Sequence, residues 1–262
     1  NMQVLRRIFT TCLLLIVIFT ISTAAWRLPA IQKTLKKDGY VAVTELPNGN
    51  QLFFSTTEVS NEQYREFITY LKTNQRSNDL VIAQVDSAAW TNTFAYNAPY
   101  VNYYFQHTAY DNYPVVNITY EGAQLYCEWL TAQYKNKGYT VKVRLPEADE
   151  WMLAAQGGNK ENLYGWEGNA INDKKGNPLA NYQWNVEKAI IVSPVTSYAP
   201  NAFGIYNMSG NVAEMLQTKG THKGGSWFSA QQYVTVLSDD EYKDITTASP
   251  FIGFRTIIEV SK

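Results

Sequence analysis

Sulfur and imidazole are scarce in this chain, which has two cysteines, four methionines and two histidines among 262 residues. Cys12 lies in an apolar N-terminal run and Cys127 in a predicted helix, so no disulfide framework holds the fold. His107 and His222 are too few to build a histidine-ligated transition-metal centre from this chain alone. An excess of one charge is also missing. Lys and Arg total 22 against 23 Asp and Glu, a net charge of −1 with no basic cluster. That balance excludes the electrostatic footprint of a nucleic-acid binder.

Long apolar runs are rare too, and the one exception is Ile8–Trp26, which carries no charge. As a helix it would span roughly 28 Å, about one hydrocarbon core. Arg6 and Arg7 precede it as in a signal peptide, and Ser22-Thr23-Ala24-Ala25 resembles a cleavage site. We read the run as a retained signal anchor and expect three parts. These are an anchor or transmembrane helix over residues 1–27, a linker or short helix over 28–39, and one domain over 40–262. Arg27, Lys33, Lys36 and Lys37 follow the run, so counting positive residues does not favour a cytoplasmic N-terminus. The short leading tail does, and the expected location is a single-pass membrane protein with its domain on the periplasmic, extracytoplasmic side.

What the chain has in quantity is aromatic side chains, 14% of residues with 19 Tyr and 7 Trp. Tyrosine rings bury large area while the hydroxyl still finds a partner, which suits an irregular fold. Periodicity is clear in a few places only. Gln51–Phe54 reads as a strand. Ser60 with Gln63 makes a capping box for a helix whose inward stripe is Tyr64, Phe67, Ile68 and Leu71. A second helix begins at Thr119, with Ala123, Cys127, Leu130 and Tyr134 on one side. Val141–Leu145 reads as a strand, Pro146 suits the first turn of a third helix, and Gly157-Gly158 stops it.

Ala199–Glu214, APNAFGIYNMSGNVAE, has neither helix nor strand period and reads as a long ordered loop. The Asn207 side chain, the carbonyls of Gly210 and Val212, and the Glu214 carboxylate are spaced to converge on a hard cation such as calcium. The alternative is an Asn/Gly loop that binds nothing.

Six stretches, taken together, resemble one family. They are TTEVSNEQYREFI (Thr56–Ile68), YPVVNITYEGAQLYCEWL (Tyr113–Leu130), VRLPEADEWMLAAQGG (Val143–Gly158), NAFGIYNMSGNVAEM, KGGSWFS (Lys223–Ser229) and FIGFR (Phe251–Arg255). In order and content they resemble the signatures of the formylglycine-generating-enzyme-like family, the sulfatase-modifying-factor domains. The resemblance implies an α+β, irregular fold related to C-type lectins. It also implies structural calcium at Asn207, Gly210, Val212 and Glu214. A second calcium site is implied at Asn181, Tyr182, Glu187 and Ala189, although the intervening segment is shortened and Glu stands for the family's Asp. Family enzymes oxidise a substrate cysteine with copper held by two cysteines in the pattern GGSxxCxxxxC. Here Ser229 and Val234 stand at those positions, and neither supplies the thiolate that copper(I) requires. No copper is expected, and no residue is assigned a catalytic role.

The expected function is a non-catalytic, membrane-anchored structural or accessory subunit of a bacterial cell-envelope complex, with gliding motility or type IX secretion suggested by family members lacking the cysteine pair. Its partners would be other envelope proteins. The alternative is a lectin-like module that binds glycan or peptide through the Trp90–Tyr113 loop, with Tyr100, Tyr103, Tyr104 and Phe105 as its surface. An enzyme with altered chemistry in the old pocket is a third reading.

Overall fold

A computed structural model describes residues 30–93, 97–184 and 191–261, the Asn92 side chain excepted. Its centre is a four-stranded antiparallel sheet of β1 (Tyr40–Glu45), β2 (Gln51–Ser55), β3 (Val141–Arg144) and β7 (Ile257–Val260). The order is β1-β2-β7-β3, so the strand latest in sequence lies between two early ones. Register follows side-chain alternation. Phe53, Ile258 and Val143 lie opposite one another on one face, while Phe54, Ile257 and Arg144 share the other.

Each face meets different helices. The Phe53 face packs on α2 (Asn61–Thr73) and α5 (Tyr120–Asn136) in one apolar cluster. The Phe54 face packs on α6 (Ala148–Ala155) through Leu52, Trp151 and Ala154. The Arg144 guanidinium joins sheet to helix by bonding Glu259 at 2.6 Å and Glu150 at 2.7 Å. The capping box of α2 is present as expected, and Tyr64, Phe67, Ile68 and Leu71 are all buried. Thr119 caps α5, whose Cys127 is buried with its thiol pushed up by desolvation, so it stays an unreactive core residue. A second sheet joins β4 (Ala213–Met215) to β5 (His222–Lys223) and, in parallel, to β6 (Ile252–Gly253).

Four expectations are corrected. Residues 30–37 are helical (α1) and bury Ile31 and Leu35 in the main cluster, so the domain's packing starts before residue 40. Pro146 lies just outside α6, whose N-cap is Glu147, because the Pro146 carbonyl accepts from Gln217 N–H at 2.8 Å. Glu214 lies within β4, where pairing on both sides overrides the loop-like composition. The Trp90–Tyr113 stretch contains a helix, α4 (Ala98–Tyr103), and 3-10 turns, stabilised by ring packing that periodicity does not register. One further helix, α3 (Ser77–Ala83), joins α2 to this stretch. The expected anchor Ile8–Trp26 lies outside the described residues, among which no helix is long and apolar enough to cross a membrane.

Candidate functional site

Polar chemistry concentrates behind the Ala199–Glu214 segment. Glu58, just after β2, is fully buried, and its two oxygens accept from Asn211 Nδ2 at 2.8 Å and Asn207 Nδ2 at 3.2 Å. Both asparagines adopt left-handed backbone, φ 68° and 54°, a conformation Asn tolerates better than bulkier residues. The same amides tether a neighbouring segment. Asn207 Nδ2 donates to Val195 O at 3.1 Å and Asn211 Nδ2 to Ser193 O at 3.2 Å. Asn211 Oδ1 accepts from Ser193 N–H at 2.9 Å and Asn181 Nδ2 at 3.1 Å.

Beside this lattice lies a buried ion pair. Arg255 donates from Nε to Glu214 Oε2 at 2.7 Å and from Nη2 to Oε1 at 2.6 Å. Nη1 donates to Ser55 O and Nη2 also to Tyr206 O, both at 2.9 Å, and Trp151 Nε1 adds a third bond to Glu214 at 2.6 Å. Burial works against the Arg255 charge, yet Glu214 outweighs it and raises the guanidinium above its ordinary range. One guanidinium thus serves two carboxylates. Burial pushes Glu58 up to about 7, against the pull of Arg255 and with a further push from Glu214.

This arrangement bears on the expected calcium ligands. Asn207 and Glu214 lie in one polar region, and Gly210 pairs with Asn181 as a parallel bridge, so the two expected sites adjoin. The fit to a hard dication is partial. Amide and carbonyl oxygens are the right donors, but both Glu214 oxygens already accept from Arg255, and an ion there would share its one carboxylate with a guanidinium. Asn181 turns its Nδ2 to Ile191 O at 2.8 Å, and Tyr182 is buried in an apolar cluster. Glu187 and Ala189 lie outside the described residues.

Ser229 and Val234, expected from the resemblance to stand where the family's cysteine pair lies, are both fully buried. Ser229 Oγ accepts from Ser226 N–H at 2.8 Å and lies 3.2 Å from the Tyr242 hydroxyl, which is 2.6 Å from Ser226 Oγ. Burial pushes the Tyr242 phenol up to about 12 despite these bonds, so the cluster is uncharged near neutral pH. Val234 instead packs with Tyr164, Ile171, Ala180 and Tyr182. A shallow cleft bounded by His222, Gly225, Asp240 and Tyr242 lies nearby, with room for about one water and lined by neither Ser229 nor Val234. Asp240 closes one side by accepting from His222 N–H at 2.7 Å and Tyr242 N–H at 2.9 Å, and its Oδ2 lies 3.4 Å from the buried His222 Nδ1.

The expected aromatic surface narrows. Tyr104 and Phe105 are buried and Tyr100 half-buried, leaving Tyr103, 54% exposed, as the one outward ring of the four. Tyr104 turned inward because its ring meets Trp90 at 5.0 Å and its hydroxyl donates to Pro114 O at 2.6 Å. His107 caps a 3-10 turn by accepting from Ala109 N–H. Sequence reasoning missed Glu58, Asn211, Arg255 and Tyr242 as site residues. For Glu58 and Arg255 a signal existed, because each is a lone charge beside an apolar strand.

Comparison with known proteins follows the same pattern. A formylglycine-generating enzyme from Thermomonospora curvata is 28% identical over 136 residues, covering 47% of this chain and 37% of that protein. The inactive C-alpha-formylglycine-generating enzyme 2 of Bos taurus is 35% identical over 107 residues, covering 39% and 32%. The matches thus span about a third of these relatives' length. Among solved structures, CarF superposes with a TM-score of 0.57 at 20% identity, over 80% of this chain and 87% of that one. PvdO from Pseudomonas aeruginosa gives 0.56 at 17% identity, over 84% and 90%. At such identity these likenesses show the fold alone. The profile of the sulfatase-modifying factor enzyme 1-like domain matches residues 36–260, and the chain belongs to that family.

Proposed function

We propose that this protein is a non-catalytic member of its family, held at a membrane through Ile8–Trp26 with its domain on the extracytoplasmic side, where it acts as a structural subunit of an envelope assembly. One observation carries the non-catalytic part. Ser229 and Val234 are fully buried, Ser229 in a hydroxyl cluster with Ser226 and Tyr242 and Val234 in an apolar cluster, and neither position carries a thiol. Copper(I) needs soft ligands that neither residue has. A relative described as inactive, that of Bos taurus, supports the reading by showing that the family includes such members. The test is to incubate the purified chain with copper and a cysteine-containing peptide of the sulfatase type and follow the peptide by mass spectrometry. An unchanged thiol is expected, and copper-dependent aldehyde formation would overturn the reading.

The assembly role is tested by affinity purification in mild detergent, where stable companion chains are expected and a lone chain counts against it. Calcium enters the proposal only as a ligand of Asn207 and the neighbouring carbonyls, with Glu214 shared with Arg255, and no function is routed through it. A thermal midpoint raised by calcium and lowered by EDTA would support that placement. Indifference to both would remove it.

A further inference from the structure

No long basic run marks the sequence, yet the fold gathers lysines where the domain begins. α1 buries Ile31 and Leu35 and leaves Lys33, Lys36 and Lys37 exposed, at the i, i+3 and i+4 positions of one helix face. Two side-chain contacts seat it. Gln32 Nε2 donates to Gln51 Oε1 at 2.8 Å, and the Thr34 hydroxyl lies 3.0 Å from that of Tyr139. The second contact brings up the C-terminal end of α5, where Lys135 and Lys137 are also exposed. Lys137 Nζ lies 3.9 Å from Asp38 Oδ2, which accepts from the Tyr134 hydroxyl at 2.9 Å. Asp38 is the one acidic residue in residues 30–39 and 131–139, so five lysines stand against one carboxylate in a chain of net charge −1.

We propose that this face rests on the anionic phospholipid headgroups of the bilayer that Ile8–Trp26 enters, an inference that rests on the membrane reading above. Reach is the first argument. Only Arg27, Leu28 and Pro29 separate the apolar run from α1, and three residues extend at most about 11 Å, little more than a Debye length. Charge is the second. Each lysine held that near an anionic surface favours contact about fivefold, and Arg27 adds another cation in the connection. Because α1 is seated by buried side chains rather than hanging free, the contact sets how the domain is presented to its partners. The argument uses charge and tether length alone, so it holds on either side of the membrane.

Lysine acetylation of the full chain in lipid nanodiscs, read residue by residue by mass spectrometry, tests it. In discs containing phosphatidylglycerol, Lys33, Lys36, Lys37, Lys135 and Lys137 are expected to react at least about threefold more slowly than in discs of phosphatidylcholine alone. High salt should abolish the difference. Lys160 and Lys174, exposed on the chain beyond α6, should keep their rates. The triple variant Lys33→Glu, Lys36→Glu, Lys37→Glu changes exposed positions only and should remove the protection of Lys135 and Lys137, with far-ultraviolet circular dichroism unchanged. Equal rates in the two discs would overturn the proposal, as would protection that extends to Lys160 and Lys174 or survives in the triple variant. Carbonate extraction from phosphatidylcholine vesicles tests the anchor separately. Release would refute the membrane reading and this inference with it, whereas a retained chain with unprotected lysines would refute this inference alone.

Discussion

Replacing Arg255 by Met removes the guanidinium bonded to Glu214 while keeping side-chain length and apolar packing. Four hydrogen bonds are lost, two of them to Glu214 and one each to Ser55 O and Tyr206 O. Breaking a buried ion pair from one side costs about 3–5 kcal/mol, because the surviving charge is left without its partner. Two orphaned carbonyls add roughly 1 kcal/mol each. Glu58 loses its nearest opposing charge as well, which deepens its own penalty. The sum, about 5–7 kcal/mol, approaches the whole stability of an ordinary domain. Urea unfolding at neutral pH, followed by tryptophan fluorescence, measures it directly because Trp151 bonds Glu214. Adding Glu214→Gln should then recover about 2 kcal/mol or more, since it removes the stranded charge yet keeps an acceptor for Trp151. A loss below about 1 kcal/mol in R255M, or no recovery in the double variant, would refute the claim that this pair organises the core.

Glu58 predicts an inverted pH response. A carboxyl raised in the folded state adds its full stability below the unfolded value, 4.5, and loses it as pH rises through about 7. The native protein should therefore lose about 3 kcal/mol relative to E58Q across that window; parallel pH profiles of the two would sink the argument. Gly210→Ala should cost more than about 3 kcal/mol in urea titration, because a Cβ would sit 2.2 Å from Asn181 O on left-handed backbone. Ser229→Ala should cost about 1–3 kcal/mol by stranding Ser226 N–H, as read by differential scanning calorimetry. A neutral result would mean the hydroxyl cluster is not structural.

Elements whose local signals agree with their packing were legible in advance. The α2 capping box and its Tyr64 stripe, the Thr119 start of α5, and the Val141 strand all combine a local cap or period with burial on the matching face. The six family stretches located the centre of the fold, but not how its side chains are paired. That Arg255 would take both Glu214 oxygens, and leave Glu58 to two asparagine amides, depends on contacts between residues far apart in the chain. No local pattern encodes such distances. The aromatic loop failed for a related reason, because composition cannot say which of four neighbouring rings turns inward, and Tyr104 did so by packing edge-to-face against Trp90.

The position of β7 has a consequence for how the protein comes to be folded. Synthesis delivers β2 and β3 long before residues 257–260, and the place between them stays open until then. During that interval β2 and β3 present bare edges, each a template for the wrong neighbour. Nascent chains stalled before Ile257 should therefore engage holdase chaperones, and release should follow once Ile257–Val260 emerges.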